Sequence, residues 1–175
     1  MMLGGLNLDQ EIVKICERKI QSELTLRNGG VLEDDDIVPP ALEKMIRRKL
    51  RLECEKAKLT LSSELTAVIR VDKIVVDHPV YNDLDFVHEI NRDDFETAAQ
   101  SIFERLEQPL NDVLDDAQMS RDEIDEVVIV GGSTRIPWIK QWLKEYFEID
   151  SLHETLNADE GVAYGAAIMA GILSG

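Results

Sequence analysis

Near the C-terminus a run of β-branched residues passes without a break into a glycine turn: Val127-Val128-Ile129-Val130-Gly131-Gly132-Ser133-Thr134-Arg135-Ile136-Pro137. The pattern predicts a buried strand, a tight loop and a helix opening at Pro137, whose fixed φ suits a first helical turn. Two adjacent glycines adopt positive φ without steric cost and let a backbone come close to a ligand. The helix N-terminus beyond them offers unpaired N–H donors. The same pattern also fits a tight connection that binds nothing. It therefore constrains the fold to α/β character here and leaves the ligand open.

Upstream, the periodicity is helical. Ile12, Ile15, Cys16, Ile20 and Leu24 fall near i, i+3, i+4 spacing and predict a helix over 8–24, broken by Asn28-Gly29-Gly30. The acidic run Glu33-Asp34-Asp35-Asp36 and Pro39-Pro40 form a loop that starts a second helix, 40–61. Its apolar stripe is Ile46, Leu50, Cys54, Ala57 and Leu61. Valines and isoleucines then predict a strand over 66–76, a turn at 78–83 and a returning strand over 86–90. Asn91 is expected to cap a long helix that buries Phe95, Ala98, Ile102, Leu106 and Leu110, kinked or divided at Pro109. Two capping boxes follow, Ser120 to Glu123 and Asn157 to Glu160. The last helix is so rich in glycine and alanine that a close neighbouring backbone is expected to offset their weak helix propensity. A boundary near residue 98 separates an α+β lobe, 1–98, from a three-layer α/β piece, 99–175.

Charge narrows the partners. The net charge is −16, which argues against a nucleic-acid partner. Between Ala41 and Thr60, however, seven basic residues face three acids, leaving −20 for the rest of the chain. One basic segment in so acidic a chain is a candidate anion site or, alternatively, a solvated helix face. No apolar run is long enough to span a membrane, and Met1-Met2-Leu3-Gly4-Gly5 lacks the basic region of a signal peptide. Cys16 and Cys54 belong to no C-x-x-C unit and the three histidines form no cluster, so reduced structural thiols and no metal site are expected. On the basic helix Arg51, Glu55, Lys58 and Ser62 recur at helical spacing, opposite the apolar stripe. A carboxylate, an ammonium and a hydroxyl in a row suit a sugar diol and a purine edge; they equally make a ladder of weak surface ion pairs.

Three ordered motifs resolve these alternatives. Glu53-Cys54-Glu55-Lys56-Ala57-Lys58-Leu59-Thr60-Leu61-Ser62-Ser63, the run from Val127 to Pro137, and Asn157-Ala158-Asp159-Glu160-Gly161-Val162-Ala163-Tyr164-Gly165-Ala166-Ala167 closely resemble the seventy-kilodalton heat-shock (DnaK-type) chaperone family. The resemblance runs from Leu3-Gly4-Gly5 to Leu173-Ser174-Gly175. It implies the second lobe of an actin-like nucleotide-binding domain: an outer subdomain, 1–98, and part of the inner one, 99–175. It also implies roles: Glu55 and Lys58 on the ribose hydroxyls, Ser62 on the adenine edge, and Gly5 near the ribose. Gly132, Ser133, Arg135 and Ile136 would form the other wall of the adenosine slot, with Asp159 acting through water.

The family pattern further implies ATP or ADP as cofactor, with Mg2+ held by a lobe not contained in this sequence. It implies a nucleotide-exchange factor on the outer subdomain, clients bound through domains not present, and cytoplasmic (or endoplasmic reticulum) residence. The phosphate loops, magnesium-binding aspartates and catalytic lysine of the family precede the region matched, so no catalytic residue is assigned and no hydrolysis is expected of this chain alone. Departures from the pattern are Leu59 in place of an arginine that stacks on adenine, Leu6 in place of an acid, Ala158 in place of a proline, and a longer stretch from Asp77 to Asp85. Leu59 keeps a second reading in view: a degenerate actin-fold module that docks proteins without binding nucleotide.

Overall fold

The computed structural model describes residues 4–27, 40–75, 84–154, 157 and 160–175. They form two compact units, Met1–Ile102 and Phe103–Gly175. In the first, helices α1 (Gly5–Arg27) and α2 (Pro40–Leu61) pack along each other. Leu8, Ile12, Cys16, Ile20 and Leu24 from α1 meet the line Leu42, Ile46, Leu50, Cys54, Ala57 and Leu61 from α2, all buried. Steps of three and four residues put each set on one helix face, which is why both helices form an interface. Strands β1 (Thr66–Val75) and β2 (Leu84–Asn91) make an antiparallel hairpin whose register runs from Thr66–Asn91 to Val71–Phe86. Ala67, Ile69, Val71, Phe86 and Ile90 point inward while Val68, Arg70 and Val87 face solvent, and β1 lies against α2. A bulge follows Val71; there Lys73 takes φ 48° and its N–H donates to Asp85 Oδ1 at 2.7 Å. The expected turn at 78–83 lies outside the described residues.

Asn91 caps helix α3 (Arg92–Phe103) as expected, its Oδ1 accepting the Asp94 N–H at 2.7 Å. The buried face is Phe95, Ala99, Ile102 and Phe103, an i, i+4, i+7, i+8 line that leaves Ala98 half-buried. The helical stretch divides at a 3₁₀ turn, Glu104–Leu106, ahead of α4 (Glu107–Ala117). Pro109 thus sits in the first turn of α4, where its missing N–H leaves no helical bond unmade.

In the second unit the Ser120 capping box forms: the Glu123 carboxylate accepts both the Ser120 N–H and its hydroxyl, each at 2.8 Å. The expected strand at Val127–Val130 does not. It contributes one parallel bridge, Val128 to His153, and only Ile129 is buried; Val128 and Val130 are 49% and 43% exposed. β-branched residues on both faces suit a central strand, and a central strand needs partners along both edges. Helix α5 (Pro137–Phe147) does begin at Pro137. Its aromatic face starts with Trp138 stacked on Phe103, ring centroids 4.2 Å apart, and ends at Tyr146, whose hydroxyl donates to Asn111 Oδ1 at 2.6 Å beneath the Arg121 guanidinium.

Helix α6 (Gly161–Ser174) starts after the expected capping box, and its N-cap Glu160 makes no side-chain cap. Ala158 and Asp159 lie outside the described residues. A Cβ on Gly161 would stand 3.3 Å from Val130 Cγ1, whereas Gly165 and Gly171 border open space. The close backbone neighbour expected for this helix is therefore absent among the described residues, and Val162, Tyr164, Ile168, Ile172 and Leu173 are exposed.

Candidate functional site

The polar stripe on α2 is more divided than its spacing predicts. Arg51 and Glu55 are exposed, Ser62 is half-buried, and Lys58 is buried at 9% exposure. Lys58 follows Cys54 by four residues, about 40° around the helix from a core position, so it borders the apolar line instead of opposing it. Its aliphatic stem lies along the interface, and its Nζ meets α1 at two points. The ammonium donates to the Gly5 carbonyl at 3.3 Å and lies 2.7 Å from Asp9 Oδ1. Asp9 is itself only 4% exposed. The Asp9 contact is a charge pair without the alignment of a good hydrogen bond, for Oδ1 receives no directed donor among the described residues. Gly5 and Lys58, which the family resemblance would place near one ribose, are thus in contact.

The rest of the stripe is held by the end of α2. Ser62 Oγ donates to the Lys58 carbonyl at 3.3 Å, one turn back. Arg92, at the start of α3, closes the helix C-terminus: Nε donates to the Leu61 carbonyl at 2.8 Å and Nη2 to the Glu64 carbonyl at 2.9 Å. A cation on the last carbonyls satisfies orphan acceptors and complements the helix dipole. Glu55 makes no hydrogen bond or ion pair among the described residues. Beneath the stripe, Cys54 Sγ stands 4.0 Å from Cys16 Sγ, both thiols free and buried. Hydrogen bonding with Cys16, then burial, pushes the Cys54 thiol far above its ordinary range.

The glycine loop belongs to the second unit. Gly131 takes φ 96°, a region in which a side chain is strained, and Gly132–Arg135 form a single 3₁₀ turn. Thr134 locks the turn, its Oγ1 donating to the Gly131 carbonyl at 2.7 Å. Ile136 is buried at 2% and anchors the loop, leaving Gly132 and Arg135 exposed and Ser133 half-buried. The Arg135 guanidinium donates to Asn157 Oδ1 at 3.3 Å. The candidates therefore fall into two sets, Gly5, Glu55, Lys58 and Ser62 on one unit and Gly132, Ser133, Arg135 and Ile136 on the other; Asp159 lies outside the described residues. No group of three or more His, Cys, Asp or Glu capable of holding a metal occurs among the described residues.

Two residues that contact Lys58 or the end of α2 escape sequence reasoning. Asp9 sits beside Leu8 at the margin of an apolar stripe, and Arg92 follows the cap Asn91. The available signal for Asp9 is weak: an acid bordering an apolar helix face, in a chain where a lysine borders another.

The family model described as Hsp70 protein matches residues 1–175. Over 173 residues the chain is 46% identical to a ribosome-associated molecular chaperone of Zygosaccharomyces rouxii, covering 99% of this chain and 25% of that protein. It is 36% identical, with the same coverage, to a heat shock protein of Pyricularia oryzae. It is 42% identical over 128 residues to heat shock cognate 70 kDa protein 3 of Dictyostelium discoideum, covering 73% of this chain and 19% of that protein. The chain spans about a quarter of the length of the first of these relatives.

Proposed function

The chain belongs to the Hsp70 family and carries that family's actin-like ATPase fold in part, and from this we propose that it binds the adenosine half of ATP or ADP. Residues 1–98 act as the outer subdomain of the second lobe and 99–175 as part of the inner one. Lys58 and Glu55 take the ribose hydroxyls, with Gly5 beside them, and Ser62 takes the adenine edge. The loop Gly132, Ser133, Arg135 and Ile136 provides the second adenine contact, and Asp159 acts through water. The observation that carries the reading is the fixed Lys58 ammonium. An ammonium has three N–H donors, and with one on the Gly5 carbonyl and a carboxylate beside it, it retains donor capacity for a ligand hydroxyl. The exposed carboxylate of Glu55, one turn away, is free to accept.

The nucleotide supplies the phosphoryl group for transfer, and Mg2+ is held by residues outside this sequence. Hinge rotation of the outer subdomain opens and closes the adenosine site, with an exchange factor engaging that subdomain and clients bound elsewhere. Action in the cytoplasm accords with a relative named as ribosome-associated, and no helix among the described residues is long and apolar enough to cross a membrane. The test is calorimetric titration of ADP into the full-length protein and its Lys58→Met and Ser62→Ala variants. Each variant is expected to lose about 1–2 kcal/mol of binding, the size of a hydrogen bond to a charged or buried partner. Unchanged affinity in both favours the protein-docking module, the reading that Leu59 keeps open.

A further inference from the structure

Asp9 and Lys58 are the buried charged residues of the described core. They come from different helices and meet at 2.7 Å, close to the α1 N-terminus. Burying a lysine is tolerated only with a partner, because an uncompensated charge in an apolar setting is strongly disfavoured. Asp9 is that partner. The pair is also geometrically incomplete: Asp9 Oδ1 lacks a directed hydrogen bond, and Lys58 has one directed acceptor, the Gly5 carbonyl. With the Gly5 carbonyl on one N–H and the Asp9 carboxylate beside the ammonium, a group with three donors keeps capacity for a further acceptor.

We propose that Asp9 is a positioning residue for nucleotide binding: it acts through Lys58, holding the ammonium on the α1 side of α2 so that a free N–H addresses a ribose hydroxyl. The inference rests on the reading of Lys58 as a ribose ligand and adds to it the residue that aims it. Asp9 itself, with a side chain about as buried as a core leucine, touches the lysine and not the sugar.

The test measures ADP and 2′,3′-dideoxy-ADP, which lacks both hydroxyls, against the full-length protein and against Asp9→Asn, Lys58→Met and the double variant. Asp9→Asn keeps the side-chain shape and removes the charge. It is expected to weaken ADP binding about fivefold to tenfold, less than the full loss of one hydrogen bond made by a charged group, while barely changing the dideoxy nucleotide. The preference between the two ligands, which a merely structural role would leave alone, collapses toward that of Lys58→Met. The double variant binds ADP no more weakly than Lys58→Met alone. If Lys58→Met lowers the preference but folded Asp9→Asn retains it, Asp9 does not position the lysine and the inference fails while the nucleotide reading stands. If Lys58→Met also retains it, both fail. Should Asp9→Asn not fold, a crystal structure of the unaltered protein with ADP decides: the Lys58 ammonium bonded to a ribose hydroxyl beside Asp9 supports the proposal, and an ammonium withdrawn from Asp9 overturns it.

Discussion

Restoring an arginine at position 59 tests the adenine assignment from the side where this chain departs from its family pattern. Leu59 lies on α2 directly after Lys58 and is 58% exposed, so little packing is lost on replacing it. Surface exchanges of this kind usually change stability by less than about 0.5 kcal/mol. A cation in the last turn of the helix also adds a favourable dipole interaction of about 0.3–1 kcal/mol. Folding is therefore expected to be unchanged or slightly improved, which leaves binding free to report. Stacking of a base on a planar side chain contributes about 1–3 kcal/mol. Immobilising a long side chain costs about 0.5–1.5 kcal/mol. The net gain is about 1 kcal/mol, so Leu59→Arg is expected to tighten ADP binding about fivefold to tenfold. Calorimetry on the full-length protein measures it, with uridine diphosphate as the control that gains less, and stopped-flow release shows slower ADP dissociation. Unchanged ADP affinity in Leu59→Arg, together with no effect of Arg135→Ala, refutes the assignment of an adenine site.

The chain alone is expected not to hydrolyse ATP; a phosphate-release assay showing turnover above buffer that disappears in Glu55→Ala contradicts this. Because the Cys54 thiol is held protonated above its ordinary value of about 9, its contribution to stability is complete below that pH. As the unfolded thiol ionises, that contribution declines by at most ~1.4 kcal/mol per pH unit. Urea unfolding between about pH 8 and 10 is therefore expected to fall more steeply for the unaltered chain than for Cys54→Ala, and parallel slopes would sink the idea. Arg92→Ala leaves the Leu61 and Glu64 carbonyls without their charged donor and is expected to cost about 1–3 kcal/mol of stability. A Cm unmoved from the unaltered protein would show that water replaces the guanidinium at no cost.

Much of the first unit is legible in the chain because its information is periodic. Steps of three and four along Ile46, Leu50, Cys54, Ala57 and Leu61 place a buried line on α2 whatever lies opposite. Alternation does the same for β1, and the caps at Asn91 and Ser120 and the helix start at Pro137 depend on residues within one turn of each other. Glu55, Lys58, Ser62 and the Gly131 loop emerge from the same local spacing, and Gly5 only from the resemblance that joins the three motifs. Tertiary structure alone decided which polar residues leave the surface. Lys58 reads as one rung of a solvated stripe; it is buried because α1 presents Asp9 and the Gly5 carbonyl where α2 crosses them. The Cys16–Cys54 approach arises from the same helix pairing, and the Arg92 clamp from the return of the chain past the end of α2. The Val127 run and the glycines of α6 show the converse, since both patterns anticipate neighbours that the described residues do not supply. Periodicity specifies which face of an element is apolar, but the partner of a buried charge is set by distances between elements, and those exist only once the helices are packed.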